Sequence, residues 1–139
     1  MKVILASHGS LADALLKVLH MVMGDEDDVE SLSLDTYENP YALAQEAEKK
    51  IKAAAGAPII MLCDIKGGSV FNHLLPFCAN PGVTLISGMN LDLVLSLVNI
   101  KPETEADFEE AIGEAKAGIV RFNKEALEKM GAENDADDF

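Results

Sequence analysis

The chain has little positive charge, because its 139 residues include only 11 lysines and arginines against 24 aspartates and glutamates. The formal net charge of −13 argues against a nucleic-acid-binding protein, which needs cations to neutralise phosphates, and against docking on anionic membranes. Arg121 is the single arginine, which argues against a clamp of several arginines around an anionic substrate. Any phosphate must therefore be held mostly by backbone amides, hydroxyl groups and a helix dipole.

Aromatic residues and cysteines are also scarce. Aromatics make up 5% of the chain and tryptophan is absent, so the core must be built from aliphatic residues and methionine. Cys63 and Cys78 have no metal-type spacing and imply no disulfide framework, and Cys63 is expected only to pack in an apolar strand. The sequence has neither a basic, apolar leader nor a run long enough to span a membrane, so a cytoplasmic location is expected.

Apolar runs and helically spaced apolar residues alternate along the chain. The runs predict strands over 2–6, 29–34, 57–63 and 83–87. The helical spacing predicts helices over 10–23, 39–55, 69–79, 91–100 and from 104 onward. This order predicts an α/β fold, a three-layer sandwich with a central, mainly parallel sheet of four parallel strands and helices on both faces.

The C-terminal part of the chain is less clear. Residues 119–122 either continue the preceding helix, whose apolar spacing they keep, or form a short edge strand, given their β-branched and aromatic content. We expect residues 1–130 to form a single domain and 131–139 an acidic, flexible tail.

His8 directly follows the first predicted strand and precedes Gly9, which permits a tight exit from the strand. Ser10 could cap the helix that starts there. His8 should therefore lie at the carboxyl end of a strand, beside a helix N-terminus, where open α/β sheets bind ligands and where anions are favoured. An imidazole in this position is suited to exchange a phosphoryl group.

Asp64 ends the most apolar strand, so it should reach the same edge of the sheet as His8. Although an aspartate here could simply begin a turn, its carboxylate could also accept a hydrogen bond from one ring nitrogen of His8. The other nitrogen would then be free to attack phosphorus. We predict that His8 and Asp64 are the catalytic pair.

A glycine-rich segment follows Asp64 and leads into a helix. Gly67 and Gly68 would expose backbone N–H groups as an anion cradle, and Ser69 could cap the helix or donate its hydroxyl to a phosphate. These three residues are predicted to bind phosphate. Further candidate pocket residues at the strand ends are Ser7, Gly9, Ser10, Lys66, Asn72 and Asn90.

Three motifs share the spacing of one protein family. They are Ser7-His8-Gly9, then Asp64-x-x-Gly67-Gly68-Ser69-x-Phe71-Asn72, and finally Ser87-Gly88-Met89-Asn90-Leu91. In this joint spacing the chain resembles the IIA component of the mannose-type bacterial sugar phosphotransferase system (PTS), over roughly residues 2–122.

The resemblance implies a function and an assembly. His8 would accept a phosphoryl group from the phosphocarrier protein HPr and pass it to a separate IIB component of a sugar transporter, with Asp64 orienting His8 and Ser69 holding phosphoryl oxygens. It implies no metal or other cofactor, because the donor is already an activated phosphohistidine. It further implies a homodimer whose subunits exchange an antiparallel edge strand, which favours a strand at 119–122. The family often has an aromatic residue near the position of Lys66, where this chain has a cation.

Four other readings are open on the residues alone. The first is the phosphoryl-carrying subunit of a dihydroxyacetone kinase system, which has a similar fold and histidine. The second is a histidine phosphatase or mutase, although such enzymes normally have arginine before the histidine, where Ser7 stands here. A receiver domain phosphorylated on Asp64 would need an acidic pair after the first strand. A purely structural module would leave the convergence of the strand-end loops unexplained.

Overall fold

The structure, a computed structural model, describes residues 1–137 and consists of a parallel sheet between two layers of helices. Its strands are β1 (Lys2–Ser7), β2 (Val29–Ser33), β3 (Ile59–Cys63) and β4 (Val83–Ser87). Its helices are α1 (Leu11–Met23), α2 (Pro40–Ala54), α3 (Ser69–Leu74), α4 (Leu91–Ile100), α5 (Glu105–Ala117) and α6 (Lys124–Asp137). Short 3₁₀ turns cover Leu34–Thr36 and Leu75–Ala79. The predicted α/β fold with four parallel strands is confirmed.

The strand order in the sheet is β2-β1-β3-β4, and every neighbouring pair is parallel. β1 is central, with Ala6 level with Leu32 of β2 on one side and with Cys63 of β3 on the other. β2 therefore lies on one side of β1, and β3 followed by β4 lies on the other side. The carboxyl ends of β1 and β3 form the point at which the winding changes direction, which is the usual ligand crevice of such sheets.

Two hydrophobic clusters, one on each face of the sheet, confirm the three layers. Val3 and Leu5 of β1 point to the face covered by α1, α4 and α5, whereas Ile4 and Ala6 point to the face covered by α2 and α3. β3 is buried along its whole length, as its unbroken apolar sequence predicts for a strand covered on both sides. Within residues 1–137, no helix combines the length and apolar character needed to cross a membrane.

Several element ends differ from the prediction. β2 stops at Ser33, because Leu34 already begins a 3₁₀ turn. The third helix is α-helical only to Leu74, since Pro76 has no N–H to continue the hydrogen-bond ladder and the chain tightens into a 3₁₀ turn. α1 begins at Leu11, one residue later than expected.

Residues 119–123 connect α5 to α6 without helix or strand structure. The helical alternative for 119–122 is thus wrong, and the antiparallel edge strand stays a prediction, since the sheet built by residues 1–137 has four strands. Residues 131–137, predicted as part of a flexible tail, continue α6. The last two positions of that tail lie outside the described residues, and the domain boundary at 130 remains a prediction.

Candidate active site

His8 and Asp64 meet at the carboxyl edge of the sheet, as predicted. His8 follows β1 directly and Asp64 follows β3 directly, and these two strands are neighbours. The side chain of Asp64 is 16% exposed and that of His8 is 41% exposed. The carboxylate is therefore largely enclosed, while the imidazole is open to the surface.

One carboxylate oxygen holds His8 at two points. Asp64 Oδ2 accepts a hydrogen bond from the backbone N–H of His8 at 2.9 Å and another from ring Nδ1 at 2.9 Å. The second oxygen, Oδ1, accepts from the backbone N–H of Ile65 at 3.1 Å. Because a carboxylate oxygen can only accept, Nδ1 must carry the proton, and Nε2 of the neutral ring is a bare acceptor.

The contacts with His8 also keep Asp64 ionised. Partial burial alone would raise the pKa of Asp64, but the hydrogen bonds from the backbone and ring of His8, together with charge attraction, outweigh it. The pKa of Asp64 is consequently lowered from its usual value of 3.8. At neutral pH the carboxylate can orient the ring and stabilise positive charge that develops on it.

Ser69, at the start of α3, approaches the other nitrogen of the ring. Its Oγ lies 3.0 Å from His8 Nε2, and the N-cap position of α3 is occupied by Gly68 rather than by Ser69. Since Nε2 is bare in the neutral ring, the Ser69 hydroxyl donates to it. A group bound at Nε2 would take the place of this hydrogen bond, and the released hydroxyl could then donate to that group.

The glycine segment forms a tight turn beside the ring. The N–H of Gly68 donates to the carbonyl of Ile65 at 3.3 Å, and Gly67 has a φ of +80°, a conformation that favours glycine. A Cβ on Gly68 would lie 3.1 Å from His8 Cε1 and 2.8 Å from Ile65 Cγ2. Gly68 is thus needed for its lack of a side chain, because the turn packs directly on the imidazole.

Two of the predicted pocket residues have other roles. Ser7 is completely buried, and its Oγ accepts a hydrogen bond from the backbone N–H of Ala12 at 2.7 Å, so it does not line the site. Ser10 makes no side-chain cap; instead Ser33, from β2, accepts from the backbone N–H of Asp13 at 3.0 Å. Serines of two adjacent strands therefore cap α1, because the strand ends lie directly under its first turn.

The other four predicted pocket residues lie at the same edge of the sheet, and each has a different structural role. Gly9 has a φ of +56° and carries the chain out of β1. Asn72 donates its side-chain N–H to the carbonyl of Gly67 at 3.0 Å and supports the turn. Asn90 caps α4 by accepting from the backbone N–H of Leu93 at 2.8 Å. Lys66 is exposed at a central position of the turn.

The sequence reasoning missed a fourth loop at this edge. The 3₁₀ turn after β2 joins the His8 loop through a hydrogen bond from the Asp35 N–H to the Gly9 carbonyl at 3.1 Å. This loop could have been predicted from the sequence, because β2 is parallel to β1 and must therefore end at the same edge of the sheet. On α1, His20 is half-buried, and its Nε2 has no hydrogen-bond partner within the described residues.

Among the groups near the site, the geometry favours a nucleophilic role for His8 rather than for a thiol. Burial, followed by the charge of Asp64, raises the pKa of the Cys63 thiol to about 11, so this cysteine is inert and packs as expected. In its neutral form, the partly exposed ring of His8 instead presents Nε2 as a bare acceptor, while Asp64 holds the opposite nitrogen, Nδ1. This arrangement is suited to accept and release a labile group. The fold and the site together define a class of parallel α/β proteins with a carboxylate-held histidine at the sheet edge.

Comparison with known proteins identifies the family. The family described as "PTS system fructose IIA component", of the mannose type, matches residues 2–116. The sorbose-specific EIIA component of the PTS of Klebsiella pneumoniae is 31% identical over 105 residues, which is 75% of this chain and 77% of that protein. The chain therefore belongs to the mannose-type family of PTS IIA components, and it is a phosphotransferase system component.

Solved structures agree with this assignment. A crystal structure of a candidate phosphoenolpyruvate-dependent sugar PTS permease from Klebsiella pneumoniae has a TM-score of 0.77 and 30% identity, covering 88% of this chain and 91% of that one. The PTS IIA protein associated with the fucose utilization operon of Streptococcus pneumoniae has a TM-score of 0.74 and 25% identity, covering 86% and 91%. The expected resemblance is thereby confirmed.

Proposed function

We propose that this protein is a cytoplasmic phosphoryl carrier that accepts a phosphoryl group on His8 from phospho-HPr and passes it to a separate IIB component. The observation that carries the proposal is the double hydrogen bond from His8 to Asp64 Oδ2, which commits Nδ1 as a donor and leaves Nε2 as the nucleophile. Membership of the family of PTS IIA components supports HPr and a IIB component as the two partners.

The chemical step balances without a metal or other cofactor. The lone pair of His8 Nε2 forms a bond to phosphorus while the bond from phosphorus to the donor imidazole breaks, and the donor nitrogen keeps that electron pair. Nδ1 keeps its proton, so the phosphorylated ring of His8 becomes cationic, and the Asp64 carboxylate stabilises this charge. The Ser69 hydroxyl and the N–H groups of the first turn of α3, which have no acceptor within their own helix, can hold the phosphoryl oxygens.

The surroundings of His8 suit a protein substrate. The imidazole is 41% exposed rather than enclosed in a deep cleft. Two apolar side chains at the same edge, Leu11 at 43% and Ile65 at 58% exposure, are open to solvent. Exposed apolar groups around a reactive atom are typical of a surface that docks another protein.

The experiment that tests this function is labelling by the purified phosphotransfer chain. The protein is incubated with phosphoenolpyruvate, the first enzyme of the system and HPr, and the added phosphate is located by mass spectrometry. We expect one phosphate on His8, labile in acid and stable in alkali, that is passed on to a IIB protein. Phosphate on Asp64 or on Ser69, or no phosphate at all, would refute the proposal. Transfer only to a dihydroxyacetone kinase subunit would assign the chain to that system instead.

Gly68→Ala is expected to slow phosphoryl transfer without unfolding the protein. Gly68 has a φ of −72°, which alanine also adopts, so the effect comes from the new methyl group pressing on His8 and Ile65. A displaced imidazole should lower the rate about tenfold or more, because such reactions need close alignment. Gly113→Ala is the matched control, since a Cβ there meets nothing within 4 Å. Equal rates for the two variants in rapid-quench kinetics would contradict this role for Gly68.

We further propose a homodimer in which residues 119–122 pair with the partner subunit. Ile119, Val120 and Phe122 are 75%, 63% and 63% exposed, and β4 has a free edge in the described sheet. A second copy could bury these side chains and supply the antiparallel edge strand. Val120→Lys should shift the protein toward monomer in sedimentation velocity, whereas the exposed Met21→Lys on α1 should not. If Val120→Lys formed dimers to the same extent as the parent protein, the proposed interface would be wrong.

A further inference from the structure

The carboxyl edge of the sheet holds a single lysine and no arginine. The loops 8–10, 34–39, 64–68 and 88–90, together with the first turns of α1 to α4, contain Lys66 as their only lysine or arginine. The same segments contain five carboxylates, which are Asp13, Asp35, Glu38, Asp64 and Asp92. A dianionic phosphoryl group on His8 would therefore enter a strongly negative region.

Lys66 lies on the segment that surrounds the imidazole. Asp64, two residues before it, holds ring Nδ1, and Ser69, three residues after it, contacts ring Nε2. The turn that contains Lys66 returns to the ring at Gly68, where an added Cβ would lie 3.1 Å from His8 Cε1. A lysine side chain is long enough to reach from this turn to a group on Nε2.

The charge of Lys66 is available. Lys2 and Lys50 are paired with Glu30, and Lys49 and Lys52 are paired with glutamates of their own helix. Lys66 has no ion pair within the part of the chain whose side chains are described. Its ammonium group is thus exposed and uncommitted beside a site with an excess of negative charge.

We propose that Lys66 is the cation that neutralises the phosphoryl group on His8 and so sets the equilibrium of phosphoryl exchange with the donor. This inference rests on the proposed carrier function. The unphosphorylated protein gains little from Lys66, because the imidazole of His8 then carries no negative charge. The phosphorylated protein gains the attraction between an ammonium ion and a dianion, so Lys66 favours the loaded state.

A charge series at this position tests the proposal. Lys66→Gln should lower the equilibrium constant for phosphorylation by HPr about three- to tenfold at low ionic strength, and Lys66→Glu should lower it further. Lys66→Arg should retain it, and high salt should shrink all differences. Lys101→Gln, at the opposite edge of the sheet, removes the same charge and should leave the constant unchanged. An equal loss in this control would overturn the proposal.

A second measurement separates contact with the phosphoryl group from contact with the partner protein. Titration of the phosphorylated protein by ³¹P NMR, without any partner present, reports the second pKa of the phosphoryl group. Lys66→Gln should raise this pKa, because loss of a nearby cation favours the protonated form. If Lys66→Gln left this pKa at the parental value and yet slowed transfer from HPr, Lys66 would act by contacting the partner protein. That result would refute the inference. Whichever result is obtained, phosphorylation of the variant on His8 would support the proposed carrier function separately from this inference.

Discussion

His8→Ala is expected to abolish acceptance of the phosphoryl group, with little loss of stability. The variant removes the imidazole whose Nδ1 is held by Asp64 and whose Nε2 is the proposed nucleophile. The fold should tolerate the change, because the imidazole is 41% exposed and contributes little to either core cluster. The lost hydrogen bonds should lower the free energy of unfolding by about 1 kcal/mol.

The measurement is mass spectrometry after incubation with the complete phosphotransfer chain, alongside thermal unfolding. His73→Ala is the matched control, since His73 is an exposed histidine on α3 whose Nδ1 lies 2.7 Å from the backbone carbonyl of Ser69. The control should be labelled like the parent. If His8→Ala were still labelled to the same extent by phospho-HPr, the assignment of the phosphorylated residue would be wrong.

Asp64→Asn is expected to leave the fold intact and slow transfer about 100-fold. Asparagine keeps the shape, and its oxygen can still accept from the backbone N–H of His8. It removes the negative charge that stabilises the cationic, phosphorylated ring, and its amide group can turn toward Nδ1 and select the wrong tautomer. Rapid-quench kinetics measures the effect directly.

A neighbouring carboxylate supplies the control for Asp64. Asp35→Asn removes the same charge from the adjoining loop, whose contact with the His8 loop is made by its backbone N–H. Its rate should stay within about twofold of the parent, since an exposed charge is screened. A parental rate in Asp64→Asn would rule out the orienting role of the carboxylate.

The lowered pKa of Asp64 also defines an acid limit. The pKa in the folded state lies below the ordinary value of 3.8, so the stabilisation from ionised Asp64 is present above that value. It is lost as the pH falls through the lowered folded-state pKa, when the carboxylate becomes protonated. The free energy of unfolding of the parent should therefore decline in this acid range, whereas that of Asp64→Asn should decline less.

Much of this architecture could be predicted because it follows from periodicity and chain order. Continuous apolar runs such as Ile59–Cys63 indicate doubly covered strands, and strands that alternate with helices must be parallel. Parallel strands end at the same edge, which is why His8 and Asp64, 56 residues apart, could be paired from the sequence.

The errors arose where a side chain's partner is distant in the sequence. Ser10 has the residue type and position of a helix cap, yet Ser33 and the buried Ser7 carry out that role from below. The contact of Gly68 with His8 Cε1 likewise depends on the exact approach of two loops. Residues 119–122 have mixed helical and strand character, and neither propensity decides their structure, because a strand there would require a pairing partner.

Asp64 Oδ2 accepts hydrogen bonds from both the backbone N–H and the ring Nδ1 of His8, and this double contact restricts how partner proteins can reach the ring. Because the ring cannot turn over without breaking these hydrogen bonds, Nε2 always faces the surface on the same side. If the proposed function is correct, the donor and the acceptor proteins must bind the same face of this protein in succession. Each partner would then have to dissociate before the other could bind.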